Sequence, residues 1–177
     1  EGHHLGRSAY FVRTYGCPIH CPWCDSAGTW HSEYIPRPIP RKSIGEIIEE
    51  AGEASPEIIV ITGGEPTVHN LSELTHALKE EGHQVHLETC GAYSFKGSPH
   101  FDWITLSPKR EKKPSLTNLC LANEIKLIID HPDALKEWEK YLKALIVKSP
   151  LITPKTIWLH PERSKRKDEE ILGQITQ

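Results

Sequence analysis

The run Glu57 to Thr62 (EIIVIT) constrains this chain more than any other segment. It is short, β-branched and apolar without polar alternation, the pattern of a strand covered on both faces, and it stops abruptly at Gly63-Gly64. Such a strand needs parallel neighbours and covering helices, and the flanking sequence supplies both. Ser8 to Tyr15 (SAYFVRTY) reads as a strand before it; His83 to Thr89, Trp103 to Leu106, Glu124 to Ile129 and Thr156 to Leu159 read as strands after it. Ser43 with Glu46 forms a capping box, and Ile44, Ile47, Ile48 and Ala51 recur at helical spacing, predicting a helix over about 43–54. Asn70 with Glu73 opens a second helix, with Leu71, Leu74, Ala77 and Leu78 on one face and Gly82 as its stop. Leu135 to Ile146 supplies a third.

Strands alternating with helices imply right-handed crossovers and a parallel sheet. Six strands in 177 residues are too few for a closed eightfold barrel, which takes about 250 residues. The expected fold is therefore α/β: a partial, open parallel β/α barrel of about six strands. It forms a single domain over 1–177, with the charge run Glu162 to Glu170 (ERSKRKDEE) as a solvated tail from about 162. A net charge of -3 with 11 neutral His gives no broad basic surface, so direct nucleic acid binding is not expected. No apolar run approaches a membrane span and Glu1 to Gly6 has no signal-peptide pattern, so the expectation is a cytoplasmic protein with no membrane contact. The sequence contains no Met, and Glu1 is not expected to be a translation start.

In parallel α/β folds ligands sit beyond the carboxyl ends of the strands, and the unusual residues fall there. Cys17 follows the first strand, Gly63-Gly64-Glu65-Pro66 the second, Glu88-Thr89 ends the third, and Ser107-Pro108-Lys109 follows the fourth. Of five cysteines, three crowd into Cys17-Pro-Ile-His-Cys21-Pro-Trp-Cys24, too constrained for an independent disulfide framework and better suited to a metal site in a reducing compartment. Three thiolates on one short loop reach three irons of a 4Fe-4S cubane and leave the fourth without a protein ligand. The alternative is a structural zinc closed by His20 or His31, giving a non-catalytic binding module. Cys90 and Cys120 lie outside the loop and read as packing.

The C-x3-C-x2-C loop followed by Gly-Gly-Glu-Pro after a buried strand resembles the core of radical S-adenosylmethionine (SAM) enzymes. From Glu1 almost to Glu162 the chain resembles the 7-carboxy-7-deazaguanine synthase family. The pieces are Glu1-Gly2 with Gly6-Arg7, Tyr10-Phe11-Val12-Arg13, Gly16-Cys17, Cys24-Asp25-Ser26, Thr62-Gly63-Gly64-Glu65-Pro66, Glu88-Thr89, Ser107-Pro108-Lys109 and Glu124-Ile125-Lys126. The resemblance implies a homodimeric lyase of queuosine and deazapurine biosynthesis that turns 6-carboxy-5,6,7,8-tetrahydropterin into 7-carboxy-7-deazaguanine with loss of ammonia. In such enzymes SAM chelates the open iron and one electron, from a partner such as a flavodoxin, releases a 5'-deoxyadenosyl radical that abstracts hydrogen.

Carried over residue by residue, the resemblance puts Glu1, Arg13 and Thr62 on the pterin, and Gly63, Gly64, Glu65, Glu88, Ser107, Pro108, Lys109 and His160 on SAM, with His160 where Gln is expected. Ser26 stands where the family commonly has Thr as a Mg2+ ligand, and a hydroxyl oxygen suits that hard cation. Arg13 has a rationale of its own, because a planar guanidinium grips a carboxylate bidentately. The nearest alternative enzyme is a glycyl-radical activating enzyme, which shares the cysteine spacing.

Overall fold

The computed structural model describes residues 2–148 and 155–176. In chain order its elements are β1 (Ala9–Thr14), α1 (Ile44–Ala54), β2 (Ile58–Gly63), α2 (Ser72–Glu80), β3 (Val85–Thr89), β4 (Trp103–Leu106), α3 (Leu116–Leu121), β5 (Glu124–Ile129), α4 (Ala134–Lys148), β6 (Thr156–Pro161) and α5 (Glu169–Ile175). The six strands form one sheet in sequence order with every neighbouring pair parallel, open between β1 and β6. Successive right-handed crossovers that always step in the same direction put every helix on one face, which is how a barrel is wound. The expected partial barrel is what forms.

The two faces of the sheet differ sharply. Ile59 and Ile61 of β2, Val85 and Leu87 of β3, Leu106 of β4 and Leu127 and Ile129 of β5 point outward and are all but inaccessible. They pack with Ala51 of α1, Leu78 of α2, Leu119 of α3, Trp138 of α4 and Ile171 of α5 into one core. Truncating one of these large side chains to Ala removes about 2–5 kcal/mol, so this layer carries the fold. The opposite, concave face takes the alternate residues: Arg13, Thr62, His86, Glu88, Trp103, Thr105, Glu124, Lys126, Trp158 and His160. Most of them are polar, so this face is built for a ligand.

At the amino ends of the strands that face is sealed. The 3-10 turn Gly2–His4 lies across it, with the His3 ring stacked on Trp103 (4.9 Å between centroids) and His4 against His86 (4.5 Å). Glu124, 1% exposed, anchors the turn by accepting from His3 N (3.0 Å), Thr105 Oγ1 (2.7 Å) and Trp158 Nε1 (2.7 Å). Burial disfavours its charge, but these hydrogen bonds outweigh it and hold the carboxyl below its ordinary range. Gly2 adopts φ +64, and a Cβ there would lie 2.5 Å from Glu124 Oε1, so both backbone shape and space demand glycine.

The expected boundaries change in two places. The Ser43 capping box is present as read, with Glu46 N–H on Ser43 Oγ. The second helix begins at Ser72, not Asn70, because Asn70 bridges Lys96 and its side chain accepts from Ser72 N (3.1 Å). The run Glu162 to Glu170 is solvated but is not a loose tail. Asp168 caps α5 by accepting from Glu170 N and Ile171 N, and Ile171 enters the core at 1% exposure. Among the described residues no helix is long and apolar enough to cross a membrane.

His86 supplies a pH test of this packing. Its burial, with His4 alongside, lowers its pKa from 6.5 to about 4. Between those values the unfolded chain binds the proton and the folded chain does not, so the stability gained from neutral His86 is complete above about pH 6.5 and lost as pH falls through about 4. His86→Phe should therefore lose less of its urea midpoint between pH 7 and pH 4.5 than the parent does. Equal losses would show that His86 is not the group that titrates.

Candidate active site

The carboxyl ends of the strands surround one cavity of about 650 Å3, well inside the range of small-molecule sites. Cys17, Cys21 and Cys24 line it on one side; Gly63, Gly64 and Glu65 lie beside them; Arg13, Thr62, Glu88, Ser107, Lys109 and His160 face them or flank them. With Ser26, thirteen of the fifteen residues expected at metal, cofactor or substrate from the sequence are thus in one place, while Pro108 lies outside the lining. Glu1 lies outside the described residues. Cys90 is buried against the loop, packed with Ile19 and Cys21, and also lines the cavity, while Cys120 lies elsewhere on α3.

Backbone contacts between loops build the mouth. Gly64 N donates to Thr14 O and Glu65 N to Gly16 O (both 2.9 Å), while Gly16 N donates to Thr29 O (2.8 Å). A Cβ on Gly64 would stand 2.2 Å from Gly16 O and 3.2 Å from Cys17 Cβ, so the glycine permits the approach that seats the cysteine loop. Glu65, 2% exposed, staples this assembly to the end of β3: Oε1 accepts from Thr67 N, Thr67 Oγ1 and Thr89 Oγ1, and Oε2 from Cys90 N (2.8 Å). These four donors match the about four acceptor positions of a carboxylate, and Glu65 also lines the cavity.

The cysteines fit a cluster. All three are free thiols, yet among the described residues no group of three His, Cys, Asp or Glu side chains converges to hold a single metal ion. A cubane takes one thiolate at each of three separate irons, and the three cysteines share one wall of the cavity. Burial pushes the Cys21 thiol up to about 12, with Lys109 opposing and Glu111 adding to the rise. A metal must therefore displace that proton for Cys21 to ligate.

The remaining walls are polar and partnered. Thr62 Oγ1 donates to Glu88 Oε2 (3.1 Å) while Lys126 Nζ lies 3.7 Å from Glu88 Oε1, holding the carboxylate from two sides. Lys109 Nζ donates to Ser107 Oγ (2.7 Å) and lies over the Trp23 ring at 5.4 Å; burial lowers its pKa. Arg13 Nη1 donates to Ser26 Oγ (3.3 Å), and Ser26 Oγ donates to Asp25 Oδ1 (3.0 Å). A cation at Ser26 would have to displace the Arg13 contact, and Asp25 is the anionic oxygen beside it that favours this.

Several lining residues escaped the sequence reading. Lys126 was readable by alternation, because Ile125, Leu127 and Ile129 take the core face and send Lys126 into the cavity. Arg163 and Arg166 also line the mouth, within the charge run expected as a solvated tail. Their signal was Asp168 ahead of Ile171, Leu172 and Ile175, a capped helix that returns the chain to the sheet.

Residues 11–109 match the family model of the radical SAM superfamily, more than half of the chain, and the protein belongs to that superfamily. The chain is 46% identical over 133 residues to a 7-carboxy-7-deazaguanine synthase of Synechocystis sp., covering 75% of this chain and 61% of that one. It is 36% identical over 177 residues to the enzyme of that name from Buchnera aphidicola subsp. Schizaphis graminum, covering 91% and 78%. The crystal structure of QueE from Escherichia coli matches 99% of this chain and 82% of that one with a TM-score of 0.76 at 28% identity. Within the superfamily, then, the chain belongs to the 7-carboxy-7-deazaguanine synthase family. It spans about three fifths of the length of the Synechocystis relative.

The Gly64 contact yields a paired test. Gly64→Ala should lower the melting temperature and the iron bound on reconstitution, since backbone must move to admit the methyl group. Gly52→Ala, with open space around it on α1, should leave iron unchanged and melt at the parent temperature or slightly above. Full iron loading of Gly64→Ala would show that the two loops need not touch.

Proposed function

We propose that this protein converts 6-carboxy-5,6,7,8-tetrahydropterin to 7-carboxy-7-deazaguanine with loss of ammonia, a step of queuosine and deazapurine biosynthesis. The observation that carries this reading is the placing of Arg13, Thr62 and Glu88 on the same concave face, in one cavity with Cys17, Cys21 and Cys24. The cluster on those cysteines, with SAM bound, supplies the radical that removes a hydrogen atom from the substrate. Gly63, Gly64 and Glu65 would hold the amino acid end of SAM, and Ser107 and Lys109 its remaining polar groups.

The chain's own residues then bind and orient. Arg13 stands on the open edge strand with its guanidinium toward the cavity, where it can take the pterin carboxylate through two parallel hydrogen bonds. Thr62 and Lys126 fix the direction of Glu88, so a ribose or ring N–H meets a carboxylate of defined orientation. Ser26, with Asp25, would hold Mg2+, and the ion would supply positive charge to offset the substrate carboxylate. A homodimer, a cytoplasmic location and a small acidic electron carrier such as a flavodoxin complete the reading. A glycyl-radical activating enzyme would need room for a protein backbone, whereas a cavity of about 650 Å3 suits a small molecule.

Reconstituted protein given SAM, a reductant and the tetrahydropterin should release 7-carboxy-7-deazaguanine and ammonia. Arg13→Lys should cost about tenfold or more in kcat/KM for the pterin, about 1.4 kcal/mol for one charge-assisted bond, while SAM affinity persists. Equal weakening of both ligands would place Arg13 outside the substrate pocket.

The Mg2+ assignment has its own measurement. After chelator treatment, turnover should rise on titration with Mg2+, and Ser26→Ala should remove most of that rise without reducing iron content. Superimposable titrations of parent and variant would leave Ser26 as a hydrogen-bonding partner of Arg13 and Asp25 only.

A further inference from the structure

The cluster loop is covered by a residue that none of the assignments above uses. After Cys24 the chain makes the 3-10 turn Ala27–Thr29, with Thr29 N on Ser26 O (2.9 Å) and the buried Thr29 hydroxyl on the same oxygen (2.7 Å). Thr29 O in turn receives Gly16 N at the foot of the cysteine loop. The turn folds the chain back, and Trp30, the residue that ends it, lies over the loop it has just left. Its indole Nε1 donates to Cys24 Sγ at 3.3 Å. Its ring is stacked on His20, 4.3 Å between centroids and 13° from parallel, and His20 holds φ +58, which aims that ring at the indole.

Two separate contacts therefore direct Trp30 at the cluster loop: a hydrogen bond to one ligand sulfur, and a stack on the residue that precedes another. An indole N–H is a donor only, and against a metal-bound thiolate its hydrogen bond is charge-assisted. Reduction adds negative charge to the cluster, part of it on the ligand sulfurs. A donor on sulfur thus stabilises the reduced form more than the oxidised form and raises the reduction potential, one of the means by which proteins set iron–sulfur potentials.

We infer that Trp30 tunes the cluster: its Nε1–H on Cys24 Sγ raises the reduction potential of the 4Fe-4S centre, with the His20 stack holding the indole in place. Trp30 is a positioning and tuning residue, since it touches a ligand atom and does not line the cavity. The inference rests on the reading of Cys17, Cys21 and Cys24 as cluster ligands, and does not depend on which substrate is turned over.

The test uses reconstituted protein without pterin, with iron per chain and the midpoint potential from an EPR-monitored redox titration as readouts. Two variants remove the donor: Trp30→Phe, and Trp30→β-(3-benzothienyl)alanine, which keeps ring size and stacking but has sulfur in place of N–H. A third, His20→Ala, keeps the donor and removes the stack. Both donor-less variants should retain iron and shift the midpoint to lower potential by about a tenfold change in the reduced-to-oxidised ratio at fixed poise, about 59 mV for one electron. His20→Ala should shift it in the same direction by less.

A parent midpoint in the benzothienyl variant overturns the inference, even if Trp30→Phe fails to hold iron. Loss of iron from the benzothienyl variant also overturns it, by making the N–H a requirement of assembly. A parent protein that assembles no cluster removes the inference together with the ligand assignment. A shifted midpoint in a protein that does not convert the pterin supports the inference and sinks only the proposed substrate.

Discussion

Glu65 N on Gly16 O and Gly64 N on Thr14 O join the loop after β2 to the loop after β1, backbone to backbone, and the site depends on that junction. Hydrogen bonds of this kind contribute only about 1 kcal/mol each, so the junction is held mainly by geometry. The absence of a side chain on Gly64 allows the approach, and the buried Glu65 carboxylate, saturated on Oε1, locks the loop to β3 through Thr89 and Cys90. Three consecutive strand ends are thereby set at defined distances before any cofactor binds. Preorganisation of this sort lowers the ordering cost that a cluster and two small molecules would otherwise impose.

The division of labour between the two faces of the sheet follows from the period of a strand. Along β5, Ile125, Leu127 and Ile129 enter the helix-covered core, and Glu124, Lys126 and Ile128 alternate onto the concave face. The same alternation puts His86 one step below Glu88 and Trp158 one step below His160. Stability and chemistry are thus carried by neighbouring residues of the same strands with little shared side-chain contact. Substitutions in the concave layer can change ligand recognition while the outer layer keeps the fold.

Much of this was legible in the sequence because it rests on local rules. β-branched runs, helical spacing and the Ser43 capping box gave the order of elements, and the placing of odd residues after strands gave the mouth. The three-cysteine loop and the Gly-Gly-Glu-Pro turn were legible because backbone shape and ligand count restrict which residues can stand there. What was not legible depends on tertiary contact. Asn70 looked like a helix cap but is drawn aside by its bridge to Lys96, and the side-chain oxygen meant for the helix caps Ser72 N alone. The charges of 162–170 concealed the single buried Ile171, whose partner surface exists only once the sheet is built. Trp30 gave no signal at all, since nothing in its neighbours shows that a three-residue turn will fold it back on Cys24.

A seal closes the lower end of the concave face, at the amino ends of the strands. It is made by Gly2, His3 and His4, which belong to no strand and are pinned by one carboxylate, that of Glu124. None of the three lines the cavity, so the seal acts at one remove: through Glu124 it ties the amino ends of β4, β5 and β6 together below the site. A change in the turn would therefore reach the cavity only through the strands that Glu124 joins, and the cysteine loop at their far ends would be the last part to feel it.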